Sequence, residues 1–386
     1  MIEEKLGSNL VKKETSFFQP NNFRVIIVHL LLLNVFFCCH KNADNTYFLG
    51  DIKYIEDVAK EIHVTLKEVP LNGANYGIIA VYDSLMIFWN PKLQYMFFNI
   101  FNLDTGKEIG SFCGKGGGPN EMFGVSPIYQ FFEENNDLKT LIFAANENKI
   151  FIWNISQSIK CGFTVIDTII PYNSKNEYGV VAYNYMFYKN GDSLFTHTPT
   201  FALNEEEASL SYYQKRTLYS DTLLQKYNIY KKSVRNGKAT MIPEFFFASN
   251  DAIKPDGSKI AQAMGYLSQI NILDTNTGDI IGYRMKNTPD FSFFETRMTL
   301  RKTYYTRIQA SNKYIYAPYW GKEPLGLREI PLINNIHVFN WNGKLLYKFI
   351  VDFSVGEIWL DEIRNRLYIT NNILDDVFYL DLNEYP

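Results

Sequence analysis

The chain has 386 residues, room for two average globular domains or for one large repeat array. Aromatics make up 16%, with 30 Phe and 27 Tyr, residue types that pack well on a pleated, half-buried surface, so a sheet-rich protein is expected. The 38 Lys and Arg against 41 Asp and Glu leave a net charge of −3, and no long basic run is present to follow a phosphate backbone, which argues against nucleic acid as a partner.

Residues 25–37 read VIIVHLLLLNVFF, a 13-residue apolar stretch preceded by Lys12, Lys13 and Arg24. That is too short to span a bilayer comfortably, and its length and positive flank match a secretory signal. Cys38 and Cys39 follow directly. The arrangement resembles a bacterial lipoprotein signal, which implies a lipid on the cysteine after the cut. Cys39, preceded by the small Cys38, suits that role better than Cys38, preceded by the bulky Phe37. The competing readings are a single-pass signal anchor and a buried core helix, the second disfavoured because the segment has no polar face. The expected layout is a signal segment at 1–39, a linker at 40–60 and a folded domain at 61–386.

After the linker, residues 61–69 (EIHVTLKEV) alternate in polarity without a hairpin partner of their own. A repeated phrase then begins, an apolar alternating strand, a turn rich in Asn, Asp and Gly, and a second apolar strand. It reads FFNIFNLDTGKEIGSF at 97–112, QINILDTNTGDIIGY at 269–283 and NIHVFNWNGKLLYKF at 335–349, with a weaker copy, KIFIWNISQSIKCGF, at 149–163. Asp-Thr-Gly and Asn-Gly supply the positive φ angles and local side-chain bonds of tight hairpins. Further strand pairs lie between the phrases, at 77–89 and 356–370 among others, so each unit holds two hairpins.

The units fall at about 76–113, 124–167, 178–232, 244–286, 303–350 and 355–383, which predicts an all-β, six-bladed β-propeller of four-stranded antiparallel blades. Polar insertions at 200–209 (TFALNEEEAS) and 321–335 (GKEPLGLREIPLINN) map to loops. The last unit has three strands, and 61–69 is expected to close the ring as its outer strand, protecting sheet edges. Two β-sandwich domains are the competing fold.

Residues 110–123 read GSFCGKGGGPNEMF, and with the six units and the lipoprotein-like start they resemble the TolB-like six-bladed propeller lipoproteins of Gram-negative bacteria. In that family a G-x-G-x-G-P-x-E-F-like run follows the first blade. Gly114, Gly116, Gly117, Gly118, Pro119 and Glu121 match it, with Met122 standing between Glu121 and Phe123. The ending at 357–369 is similar to the family's last blade. The resemblance implies the fold and export, and it carries no chemistry.

The glycine run lacks the G-x-x-x-x-G-K-S/T spacing of a phosphate loop and precedes no helical pattern, so it reads as a crossing between blades. Oxygen side chains alternate at 274–279 as in calcium loops, but no closing Glu follows, and a hairpin turn explains them. Cys113 and Cys161 lie in strand-like segments and read as small hydrophobes, with a disulfide between them as the lesser reading. His63, His197 and His337 sit singly in strand patterns, and neither G-x-S-x-G nor H-E-x-x-H is present. No cofactor or metal is therefore expected. Tyr316, Tyr319, Trp320 and Trp341 lie near predicted loops, either stacking on sugars or peptides or filling gaps between blades.

Two functions stay open. The first is a non-catalytic binding or scaffolding lipoprotein at the cell envelope, recognising a protein, peptide or glycan. The second is an exported propeller enzyme, a lyase, lactonase or hydrolase, with its site at the central channel. A binding face is expected where the glycine run and the two insertions emerge together, with Gly116, Gly117, Pro119, Glu121, Glu205, Glu206, Trp320, Lys322 and Arg328 as candidate residues.

Overall fold

Strand after strand in the computed structural model pairs with its sequence neighbour; residues 47–73, 76–126, 129–144, 147–171, 185–189, 193–197, 213–230, 247–292, 301–323 and 331–385 are described. Three strands precede the repeats: β1 (Asp51–Ile55), β2 (Lys60–His63) and β3 (Lys67–Glu68). Blade one is β4 (Ile78–Tyr82), β5 (Leu85–Trp89), β6 (Met96–Asn102) and β7 (Glu108–Gly114). Blade two is β8 (Phe131–Glu134), β9 (Asp137–Ala144), β10 (Lys149–Asn154) and β11 (Ile166–Pro171), with helix α1 (Ile155–Cys161) between its last two strands. Blade three is β12 (Tyr185–Lys189), β13 (Ser193–His197), β14 (Tyr213–Thr217) and β15 (Leu223–Tyr227). Blade four is β16 (Ser249–Ile253), β17 (Lys259–Met264), β18 (Gln269–Asp274) and β19 (Ile280–Met285). Blade five is β20 (Thr303–Tyr305), β21 (Gln309–Ala310), β22 (Tyr314–Lys322), β23 (Asn335–Asn340) and β24 (Leu345–Ile350). Blade six is β25 (Val355–Asp361), β26 (Arg366–Asn371) and β27 (Val377–Asp381), completed by β3. The protein is a six-bladed β-propeller, as its repeats predict.

The core is not one mass but a set of six apolar layers, one in each seam between neighbouring blades. Ile142, Phe151 and Trp153 meet Phe98, Ile100 and Phe112 between blades one and two; Ile336, Val338 and Phe349 meet Ile358, Leu360 and Leu367 between blades five and six. Alternation along each strand sends successive side chains to the two opposite seams, so a blade that is apolar on both faces glues two neighbours at once.

Closure differs from the sequence expectation in its detail. Residues 61–69 are not one strand. Lys67–Glu68 does pair antiparallel with β27, with the Val69 N–H donating to the Val377 carbonyl at 2.8 Å. Lys60–His63 instead pairs in parallel with β24 of blade five. The expected linker is also partly a strand, since Asp51–Ile55 pairs in parallel with β19 of blade four. Residues 48–72 thus form a belt, from a bridge at Tyr230 after blade three to a bridge at Lys107 on blade one. It places Phe48, Ile55, Val64 and Val69 into four successive seams. A short alternating strand carries no mark of which exposed edge it will join, because every outer strand offers the same row of unpaired N–H and C=O groups.

The weaker hairpin copy is a second correction. The turn between β10 and β11 contains α1, capped at its start by Asn154, whose side chain accepts from the Gln157 N–H, and at its end by the left-handed Gly162, φ 75°, which donates to the Ser158 carbonyl. Cys161 therefore ends a helix and is exposed, Cys113 is buried in a strand, and both thiols are free.

Candidate ligand-binding face

In a blade counted outward from the channel, the loop between second and third strands and the crossing to the next blade emerge on one side of the ring. The glycine run crosses from blade one to blade two on that side. Its backbone folds around the Glu121 carboxylate, which accepts from the Gly118 N–H at 2.9 Å. A Cβ at Gly116, where φ is 158°, would meet that carboxylate at 2.2 Å, and one at Gly118 at 3.0 Å. Glycine at these two positions leaves the Glu121 carboxylate the space it occupies, so the loop closes on its own acidic side chain. Pro119 and Gly117 complete the turn, with the Glu121 N–H returning to the Gly118 carbonyl.

The crossing is pinned to the 91–95 loop of blade one. The Lys115 N–H donates to the Tyr95 carbonyl at 2.8 Å, and the Lys115 ammonium donates to the Leu93 carbonyl at 2.5 Å. Lys115 also bridges to Met122. Met122, the residue that departs from the family run, is fully buried in the seam between blades one and two, which leaves Phe123 outside. Tyr95 and Phe123 are 68% and 69% exposed on these pinned loops. Beside them the Lys92 ammonium lies 3.4 Å from the centre of the Tyr76 ring and 4.0 Å from Asp375, whose neighbours Ile373 and Leu374 are exposed. Loops of blades six and one thereby join in one aromatic and aliphatic surface. Sequence reasoning missed these residues; the available signal was large apolar side chains inside turn segments that should be polar.

Of the remaining candidates, Trp320 lies within β22, partly buried against the seam between blades five and six, and Lys322 is exposed at the end of that strand. Glu205, Glu206 and Arg328 lie outside the described residues, as do Cys38 and Cys39. Tyr319 stacks on His337 at 4.1 Å between ring centres, and the Trp341 N–H donates to the Ser311 carbonyl at 2.9 Å. Both fill structure.

The inner strands hold a different chemistry. Arg307 forks onto Glu357 of β25, its Nε 2.6 Å from Oε2, joining blades five and six. Trp359 of the same strand donates to the Val81 carbonyl at 2.9 Å and meets the Tyr129 and Phe131 rings edge-on, while the Tyr82 hydroxyl donates to Glu133 at 2.8 Å. In the seam between blades three and four, Asp251 accepts from Tyr213 at 2.6 Å and from Ser249 at 2.7 Å, with His197 Nδ1 at 2.8 Å. These are charges held by fixed neighbours. Among the described residues no group of three or more His, Cys, Asp or Glu is placed to hold a metal ion. The Asp274 side chain caps its own turn, accepting from the N–H groups of Asn276 and Thr277.

The sequence matches the TolB-like 6-blade propeller-like family over residues 76–363. The chain belongs to that family. No curated protein matches it. Among solved structures, a member of the DUF4221 family from Bacteroides vulgatus superposes with a TM-score of 0.54 at 14% identity, covering 82% of this chain and 98% of that one. A Bacteroides fragilis protein described as exported superposes with a TM-score of 0.51 at 11% identity, covering 85% of this chain and 89% of that one. At such identity the likeness is one of fold. The glycine run lies inside the family match, and in this TolB-like propeller its Lys115 N–H ties the crossing to the Tyr95 loop.

Proposed function

We propose that this TolB-like propeller is an exported, lipid-anchored protein of a Gram-negative cell envelope that binds a protein partner without catalysis. The observation that carries the reading is the display of Tyr95 and Phe123 on loops pinned by their own hydrogen bonds. Aromatic side chains carry few rotatable bonds and, when presented on loops whose backbone is already held, lose little entropy on docking; such residues dominate interface energetics. The surface is broad, with Tyr76, Ile373 and Leu374 extending it over blade six, and it suits a partner surface better than a small ligand. Export is supported by the apolar run before Cys38 and Cys39 and by the description of the Bacteroides fragilis neighbour as exported, and anchoring by the position of those two cysteines alone.

Two measurements test the reading. Changing Cys38→Ser and Cys39→Ser together is expected to abolish labelling by a fatty-acid analogue in a bacterial host; undiminished labelling refutes the anchor. Cross-linking in intact envelopes is expected to give adducts that disappear with Tyr95→Ala plus Phe123→Ala and persist with Tyr219→Ala, a change on a remote blade-three turn. Adducts indifferent to the double change would remove this face from the partner's path.

A further inference from the structure

Between blades five and six, at the end of the 1–2 turns and so opposite the Tyr95 and Phe123 loops, lies a cavity of about 420 Å3. That is the size of a small-molecule pocket. Its walls are the Tyr314, Tyr316, Phe349 and Tyr385 side chains, held in place from several elements. Tyr314 and Tyr316 alternate along β22 and meet edge-on at 6.4 Å, and Tyr385 packs on Phe349 at 5.7 Å while its hydroxyl accepts from the Thr65 N–H of the belt at 2.9 Å. Tyr316 is 4% exposed, and its hydroxyl has no hydrogen bond among the described residues. Asn312, Lys313 and Glu362 stand at the mouth, the Glu362 carboxylate accepting from the Asn312 N–H at 3.2 Å.

We propose that this cavity binds a neutral saccharide unit, independently of the partner-binding face. A purely apolar occupant would strand the Tyr316 hydroxyl away from water with nothing to bond, a costly arrangement. A charged occupant finds no net field, because Lys313 and Glu362 carry opposite signs. An extended peptide finds no strand edge, since the main chain of β22 is already paired with β21 on one side and β23 on the other. A sugar ring meets all three conditions. Its C–H face lies against the tyrosine rings while its hydroxyls reach the Tyr316 hydroxyl and the Asn312 side-chain amide.

Saturation-transfer NMR on the full chain tests this with glucose, galactose, mannose, N-acetylglucosamine, cellobiose and lactose, against glycyl-tyrosine and glucuronate. At least one neutral sugar is expected to receive saturation. Tyr316→Phe, which removes one oxygen, and Asn312→Ala, at an exposed side chain, are each expected to weaken that binding roughly tenfold with unchanged melting. Tyr219→Ala is expected to change nothing. Absence of transfer to every neutral sugar, transfer only to the dipeptide or the uronate, or binding untouched by both cavity variants would each overturn the assignment.

Discussion

Glu121 and His337 do opposite things with their chemistry. Glu121 is exposed, and its carboxylate organises the glycine loop from within. Changing Glu121→Ala is expected to speed hydrogen exchange across 115–123 while β6 and β7 keep their protection, because the loop loses its internal acceptor but the strands beneath it do not. His337, 1% exposed between Tyr305 and Tyr319, is held neutral: burial and then the nearby Lys348 charge push its pKa down to about 3. In the unfolded chain it titrates near 6.5. Below that value the unfolded state binds a proton that the folded state refuses, so stability falls as the pH drops from about 6.5 toward 3. Denaturant melts across this window should show a steep acid limb for the parent chain and a shallower one for His337→Gln; identical limbs would place the acid sensitivity elsewhere.

At the scale of elements, α1 shows how a local signal can be present and still be outvoted. Ile150, Ile152 and the repeat spacing read as a hairpin, yet Asn154 followed by Gln157 and then Gly162 is a helix start and stop. The buried Asn154 side chain also donates to Asp137 and Asp167, tying the helix to the blade. Asn154→Ala is therefore expected to cost about 2 kcal/mol. Gly162→Ala is expected to cost about 1 kcal/mol, since a Cβ there meets nothing within 4 Å and only the left-handed φ is strained. Urea unfolding of the two variants should preserve that order.

At the scale of the whole molecule, stability rests on closing a ring whose seams are all alike. The belt seals four of them, and its three buried side chains, Phe48, Val64 and Val69, are worth about 1.5–3 kcal/mol each, with the half-buried Ile55 adding less, so together they rival the net stability of an ordinary domain. Deleting residues 1–72 exposes the edges of β19, β24 and β27, whereas deleting 1–58 exposes β19 alone. Calorimetry is expected to show the longer deletion melting at a much lower temperature, over a broader range, than the shorter one. Equal melting would mean that blade six does not depend on Lys67–Glu68.

The number of blades, their hairpins and the glycine crossing were legible in the sequence, because they depend on residues close together in the chain: alternation along FFNIFNLDTGKEIGSF, Asp-Thr-Gly at its turn, and Glu121 three residues after Gly118. Even Met122 signalled its departure there, although only its burial explains why Phe123 faces solvent. What the tertiary structure alone decided is which edge each belt strand joins, that Tyr316 ends its side chain in a cavity lined also by Asn312, Lys313, Tyr314, Phe349 and Tyr385, and that Tyr95 stands beside the glycine run. Each of these depends on groups brought together from distant parts of the chain, and edge pairing and seam packing are physically the same at every blade, so nothing in a local pattern selects among them.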